Sequence, residues 1–130
     1  MARYLLDTTV LIDVLRGKGA ADRIRALRAT SEPPYICAIN AEEIIRGVKP
    51  RERATVDLLL QGCRIVLLGR EEGVRAGEWR RAYAERGVTL SQADCLIAAA
   101  AASVDAVLAT GNPKDFPMDE VIVEHWPVGR

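Results

Sequence analysis

The chain has 130 residues, 49% of them hydrophobic but only 5% aromatic, and its 18 basic residues balance 18 acidic ones. That length allows one domain, residues 1–130, with an aliphatic, alanine-rich core, and the charge balance excludes a tail that coats nucleic acid nonspecifically. Apolar runs stop short of the ~20 residues of a membrane span, Asp7 and Asp13 interrupt any signal-peptide profile, and Cys37, Cys63 and Cys95 read as reduced core thiols, so a cytoplasmic, membrane-free protein is expected.

In chain order, Tyr4 to Leu6 reads as a buried strand, too short and too continuously apolar for a surface one, with Asp7 at its C-terminal edge. Val10 to Leu15 reads as a short helix, so Asp7 has two readings: a site carboxylate at the strand edge, or, with Thr8, the cap of that helix. Arg16 to Gly19 is a break, and Ala20 to Ala29 is an amphipathic helix with Ile24 and Leu27 inward. Pro33 and Pro34 stop it. Tyr35 to Ile39 is a second buried strand, Asn40 follows, and Ala41 to Gly47 is a short helix closed by glycine and Pro50. Arg51 to Gln61 is another helix and Arg64 to Leu68 a third strand.

From Arg70 to Arg86 the pattern is helical and charged, with Ala76, Trp79 and Tyr83 as an apolar stripe facing the core or a partner rather than stacking on bases. Ser91 opens a helix over Gln92 to Ala102 whose alanines allow close approach to a sheet. Ala106 to Ala109 and Val121 to Glu124 are the fourth and fifth strands. Strands alternating with helices predict a three-layer α/β/α sandwich around a mostly parallel five-stranded sheet.

Four acids fall in a common pattern. Glu43 stands three residues after Asn40, Asp94 three after Ser91 and Asp115 three after Asn112, the spacing of a helix cap followed by an acid in the first turn. Each is thus explicable as a stabilising cap pair contributing on the order of 0.5–2 kcal/mol. Asp7, Glu43 and Asp115 also follow the C-terminal ends of predicted strands, which share one edge of a parallel sheet. Asp94 joins them only if its helix, running antiparallel to the fourth strand, projects past that edge. Like charges gathered there would repel by roughly 4 kcal/mol per pair at 4 Å and an effective dielectric near 20. Carboxylates without a histidine specify a hard ion, Mg²⁺ with Mn²⁺ as the substitute, and hence phosphodiester hydrolysis.

The segments LLDTTVLID, AEEIIRG, SQADCLIAAAAA and ATGNPKDF resemble the four acidic motifs of PIN-domain ribonucleases, in the same order and over the whole chain. With nothing appended, the chain looks most like the VapC-type toxins of bacterial toxin–antitoxin pairs. The resemblance implies a metal-dependent endoribonuclease that acts on RNA, forms a homodimer, and is inhibited by a cognate antitoxin occupying the site and a neighbouring groove. Carried across by position, Asp7, Glu43 and Asp94 match the first three acids. At the fourth motif Asn112 stands where many members have aspartate, which leaves Asp115 as the acid there and Asn112 as a neutral ligand or cap. Thr9 matches a hydroxyl or amide position expected to hold Asp7 or substrate.

Other residues have plainer readings. Asp13 is expected to be solvated or paired with an arginine, Glu42 to point away from the site, and His125 to have no catalytic part. Arg16, Arg46 and Lys114 lie beside acidic motifs, where they would grip phosphates or bridge to the acids. Two rivals remain: a non-enzymatic PIN-like binding module that keeps its acids as caps, and an aspartate-nucleophile phosphatase, whose pattern wants an acid where this chain has Thr9.

Overall fold

In the first strand, β1 (Tyr4–Leu6), Leu5 and Leu6 are both fully buried, and strand alternation sends them to opposite faces of a sheet. Leu5 packs with Cys37, Val66 and Leu108, while Leu6 packs with Ile36 and Ala109. A strand apolar on both faces needs a layer on each. The computed structural model, which describes residues 2–30 and 32–129, supplies both.

On the Leu6 face lie α1 (Thr8–Leu15), α2 (Gly19–Thr30), α3 (Ala38–Gly47) and α4 (Arg53–Gln61), through Val10, Leu11, Ile24, Ile44 and Val56. On the Leu5 face lie α5 (Arg70–Ala84) and α6 (Gln92–Ser103), through Ala76, Trp79, Cys95 and Ile97 to Ala101. Ala98 to Ala101 are at most 1% exposed, because side chains this small let α6 lie against the sheet. Between the layers run β1, β2 (Tyr35–Cys37), β3 (Arg64–Val66), β4 (Val107–Thr110) and β5 (Val123–His125), all parallel, in the order β3-β2-β1-β4-β5. The α/β/α sandwich and its five strands are as expected, and no helix among the described residues is long and apolar enough to cross a membrane.

Several boundaries differ from the sequence reading. The expected strand Tyr35–Ile39 ends at Cys37 and α3 begins at Ala38, three residues before the expected Ala41. The reason is Asn40, which looks like a cap but lies inside the helix. Its Oδ1 accepts from the Cys37 N–H at 2.8 Å, so Cys37 is the capping position. Helix α1 likewise starts at Thr8 rather than Val10, directly after Asp7. The predicted helix over Arg51–Gln61 opens as a short 3₁₀ turn, Pro50–Glu52, before α4, since proline at a first position preorganises such a turn. Trp79 and Tyr83 join the core cluster, as their spacing predicts.

Candidate active site

Parallel strands deliver their C-terminal ends to one edge, and β1 and β4 are neighbours there: the Asp7 N–H donates to Ala109 O at 2.9 Å. Asp7 is 6% exposed. Its Oδ1 accepts from the Thr8 N–H (2.8 Å), and its Oδ2 accepts from the hydroxyls of Thr9 (3.0 Å) and Thr110 (2.7 Å). Backbone donors lie behind both hydroxyls. The Gly111 N–H donates to Thr9 Oγ1 at 3.1 Å and the Asn112 N–H to Thr110 Oγ1 at 3.0 Å, so each hydroxyl proton is turned toward the carboxylate. Two donors fill the lone-pair positions of Oδ2, and a single donor leaves one on Oδ1 free to point elsewhere. Burial, above all, raises the carboxyl pKa, the three hydrogen bonds pull it down, and the nearby charge of Glu43 adds a smaller push upward.

Glu43 is held by a similar relay. Asn40, fully buried, is fixed in orientation by its bond from the Cys37 N–H and so presents Nδ2 to Thr8 Oγ1 at 3.1 Å. The Thr8 hydroxyl, with that donor behind it, gives its proton to Glu43 Oε1 at 2.7 Å. Glu43 is therefore not the first-turn acid of a cap pair, as the Asn40 spacing suggests. It is the sixth residue of α3 and caps nothing. Thr9 holds Asp7 as expected. Thr8, Thr110 and the internal role of Asn40 were missed, because a threonine beside an acid reads most simply as part of a cap. The available signal was that Thr8, Thr9 and Thr110 all follow or end neighbouring strands.

Asp94 does open its helix in the expected way: Ser91 caps α6, its Oγ accepting from the Asp94 N–H at 3.0 Å. The α6 N-terminus projects past the sheet edge and brings Asp94 to the other acids. Its carboxyl is pushed up to about 6, first by desolvation and then by the charges of Asp7, Asp115 and Glu43, with the Ser91 hydroxyl opposing. Asp115 closes the turn Pro113–Asp115. There the Asn112 amide Nδ2 donates to Asp115 Oδ2 at 2.7 Å, so Asn112 supports the acid instead of capping the turn. Asp94 thus feels the charges of the other three predicted acids at this edge, and Asp7 also feels that of Glu43. Among the described residues, no three acid, histidine or cysteine side chains close into a finished metal cage.

The remaining candidates fall outside this cluster. Arg46 pairs with Glu42 at 3.7 Å on the exposed side of α3, and Glu42 points away as expected. His125 is exposed on β5. Asp13 corrects the sequence reading: it is 3% exposed and, among the described residues, pairs with no arginine, accepting instead from the backbone N–H groups of Ala20 (3.0 Å) and Gly129 (2.8 Å). Beside Glu43, a groove of about 120 Å³ runs between α1, α3 and α4, with apolar walls from Ile12, Leu15, Ile44 and Val56 and with Arg16 at its rim.

This architecture is shared. Residues 4–118 match the PIN domain family model. The chain is 35% identical to Ribonuclease VapC10 of Mycobacterium tuberculosis over 89% of this chain and 87% of that protein. It superposes with a TM-score of 0.82 on a crystal structure of VapBC2 from Rickettsia felis bound to a promoter DNA fragment, at 24% identity over 95% of this chain and 98% of that one. A toxin–antitoxin complex from Klebsiella pneumoniae aligns at a TM-score of 0.73 and 26% identity, over 92% and 95% of the two chains. A parallel sheet with four acids at its C-terminal edge, matched by a family model over nearly its whole length, means that the chain belongs to the PIN-domain family.

Proposed function

We propose that this protein is an endoribonuclease that hydrolyses RNA phosphodiesters with Mg²⁺ or Mn²⁺, and that it is the toxin of a toxin–antitoxin pair, held inactive by its antitoxin. The observation that carries the chemistry is the convergence of four carboxylates from four separate segments on one edge, where Asp94 feels the charges of Asp7, Asp115 and Glu43. The ribonuclease assignment is supported by the VapC relative, and the antitoxin partner by the Klebsiella pneumoniae complex.

An all-oxygen donor set without histidine or thiolate fits a hard divalent ion. Asp7, through the open position on Oδ1, with Glu43, Asp94 and Asp115, would hold it. Such an ion, when bound, neutralises the scissile phosphate and makes a coordinated water more acidic. The protein's own part is positioning. Thr9 and Thr110 hold Asp7 in place and oppose the desolvation that raises its pKa, and Thr8 aims Glu43. Asp94, whose carboxyl is pushed up to about 6 without metal, gives up its proton most readily when a cation is present to offset the charges of Asp7, Asp115 and Glu43. Attack on phosphorus with departure of the 3′ oxygen leaves a 5′-phosphate and a 3′-hydroxyl. The groove beside Glu43, with apolar walls and with Arg16, Glu43 and Glu52 among its lining, suits an amphipathic antitoxin segment. A homodimer is part of the same proposal.

The binding-module rival takes the acids as helix caps. Asp7 does cap α1, but Glu43 stands at the sixth position of its helix, where no cap is made. The test is cleavage of a pool of structured cellular RNAs by antitoxin-free protein with Mg²⁺ or Mn²⁺, beside EDTA and Asp7→Asn controls, with fragment ends mapped. Cutting that vanishes in both controls supports the proposal. Absence of cutting by folded protein that binds no divalent metal would move the weight to the binding module.

A further inference from the structure

Beyond β5 the chain does not leave the molecule but crosses behind the site. The Trp126 N–H donates to Thr110 O at 2.8 Å, directly beneath one of the two hydroxyls that hold Asp7. Val128 then lies on Gly111: a methyl group added there would come within 2.8 and 2.9 Å of the Val128 γ-carbons. Gly129, at a φ of 81° that favours glycine, donates to the buried Asp13 at 2.8 Å. Asp13 belongs to α1, the helix that Asp7 caps, and its other oxygen accepts from Ala20 in the first turn of α2.

We infer that the segment Trp126–Gly129 is a clasp on the back of the site, pinned by Asp13, and that Asp13, Gly111 and Val128 are positioning residues for the Asp7 carboxylate. The path is short. Val128 presses on Gly111, the Gly111 N–H orders the Thr9 hydroxyl, and that hydroxyl holds Asp7 Oδ2. Trp126, 3% exposed, anchors the other end of the clasp in the core. This arrangement explains two residues that the acidic chemistry leaves aside. A carboxylate nearly free of solvent at position 13 touches none of the four acids through a hydrogen bond, and its role is to hold a backbone segment 116 residues away in sequence. Glycine at 111 has no positive φ, so its missing side chain serves close approach rather than conformation. The inference rests on the proposed function only in taking Asp7 as a cation-holding group.

Three variants test it: Gly111→Ala, Val128→Ala and the two combined. Each is read by amide hydrogen exchange at position 111, by Mn²⁺ calorimetry and by thermal melting. Gly111→Ala should speed exchange at that amide and weaken Mn²⁺ binding about tenfold, the size of effect typical of residues that orient ligands, with little change in melting. The double variant, which removes the obstructing methyls, should return both readings toward wild type. A Gly111→Ala protein indistinguishable from wild type in exchange and Mn²⁺ affinity overturns the inference, as does a double variant that fails to recover. If wild type binds no Mn²⁺, the metal-dependent reading falls while exchange at position 111 still decides the clasp. Should Gly111→Ala not fold, Asp13→Ala, which removes both acceptor oxygens, cuts the clasp at its other end, and unaltered exchange at Gly111 in that folded variant would equally overturn it.

Discussion

Asp7 and Glu43 receive hydrogen bonds from three threonine hydroxyls rooted in the backbone and in Asn40, whereas Asp94 and Asp115 each lean on a single neighbour from their own turn. The first pair is fixed before any ligand arrives. Its donors offset the cost of burying charge, since each hydroxyl proton is directed by an N–H behind it. The second pair is only half-buried and has fewer donors, and in Asp94 desolvation, with the charges of Asp7, Asp115 and Glu43 added to it, outweighs the Ser91 hydroxyl and leaves a carboxyl pKa of about 6. On the proposed reading, the fixed pair sets where a cation sits and the adjustable pair closes on it.

Neutralising one acid from each pair sharpens this contrast most. Asp7→Asn and Asp94→Asn should both reduce RNA cleavage by on the order of a thousandfold, about 4 kcal/mol of barrier. Their folding stabilities should move in opposite directions in metal-free urea titrations. An amide at position 7 turns an N–H₂ toward hydroxyl protons or the Thr8 N–H, costing about 1–3 kcal/mol. An amide at position 94 relieves repulsion and should raise stability by about 1 kcal/mol at neutral pH, allowing for partial solvent screening. Equal destabilisation by both would break the distinction between the pairs.

Thr110→Val is next in size. It removes one of two hydroxyls from Asp7 Oδ2 and strips the Asn112 N–H of its acceptor, so a stability loss of about 2 kcal/mol is expected by denaturant titration. Thr8→Val frees Glu43 and also strips the buried Asn40 amide of its acceptor. Cleavage should fall about tenfold, and Thr8→Ser, which keeps the hydroxyl, should recover most of it. Equal activity in the valine and serine variants would show that the relay from Asn40 does no positioning.

The smallest effect is in pH. The folded-state pKa of Asp94 lies above its ordinary value of 3.8, so the folded protein binds that proton more tightly than the unfolded chain. Without metal, this residue's contribution must therefore decline as pH rises from 3.8 to about 6 and stay flat above. Asp7, also raised, adds in the same direction. The stability gap between Asp94→Asn and wild type should open across that window, and a gap independent of pH would contradict the raised pKa of Asp94.

The contrast between the pairs also marks how far the sequence could be read. The layers were legible because runs such as Tyr4–Leu6 and the alanines of α6 admit only burial, and the four acids because their motifs follow strand ends or open a helix. Neighbours across the fold were not legible. Asn40 has the composition of a cap, and only the β2–α3 junction shows that Cys37 holds that position while the amide reaches Thr8. Asp13 looked solvent-facing because its second partner, Gly129, is 116 residues away. Thr110 meets Asp7 through β1–β4 pairing, a contact between strands remote in sequence.

The most direct test of the central claim is a crystal of the antitoxin-free protein soaked in Mn²⁺, with the metal located by its anomalous scattering. The account predicts an ion bonded to Asp7 Oδ1, with Asp94 and Asp115 drawn toward it and the Thr9 and Thr110 hydroxyls still on Oδ2. An ion bound through Oδ2 with the threonines displaced, or no ion at this edge in crystals that leave it open, would contradict it.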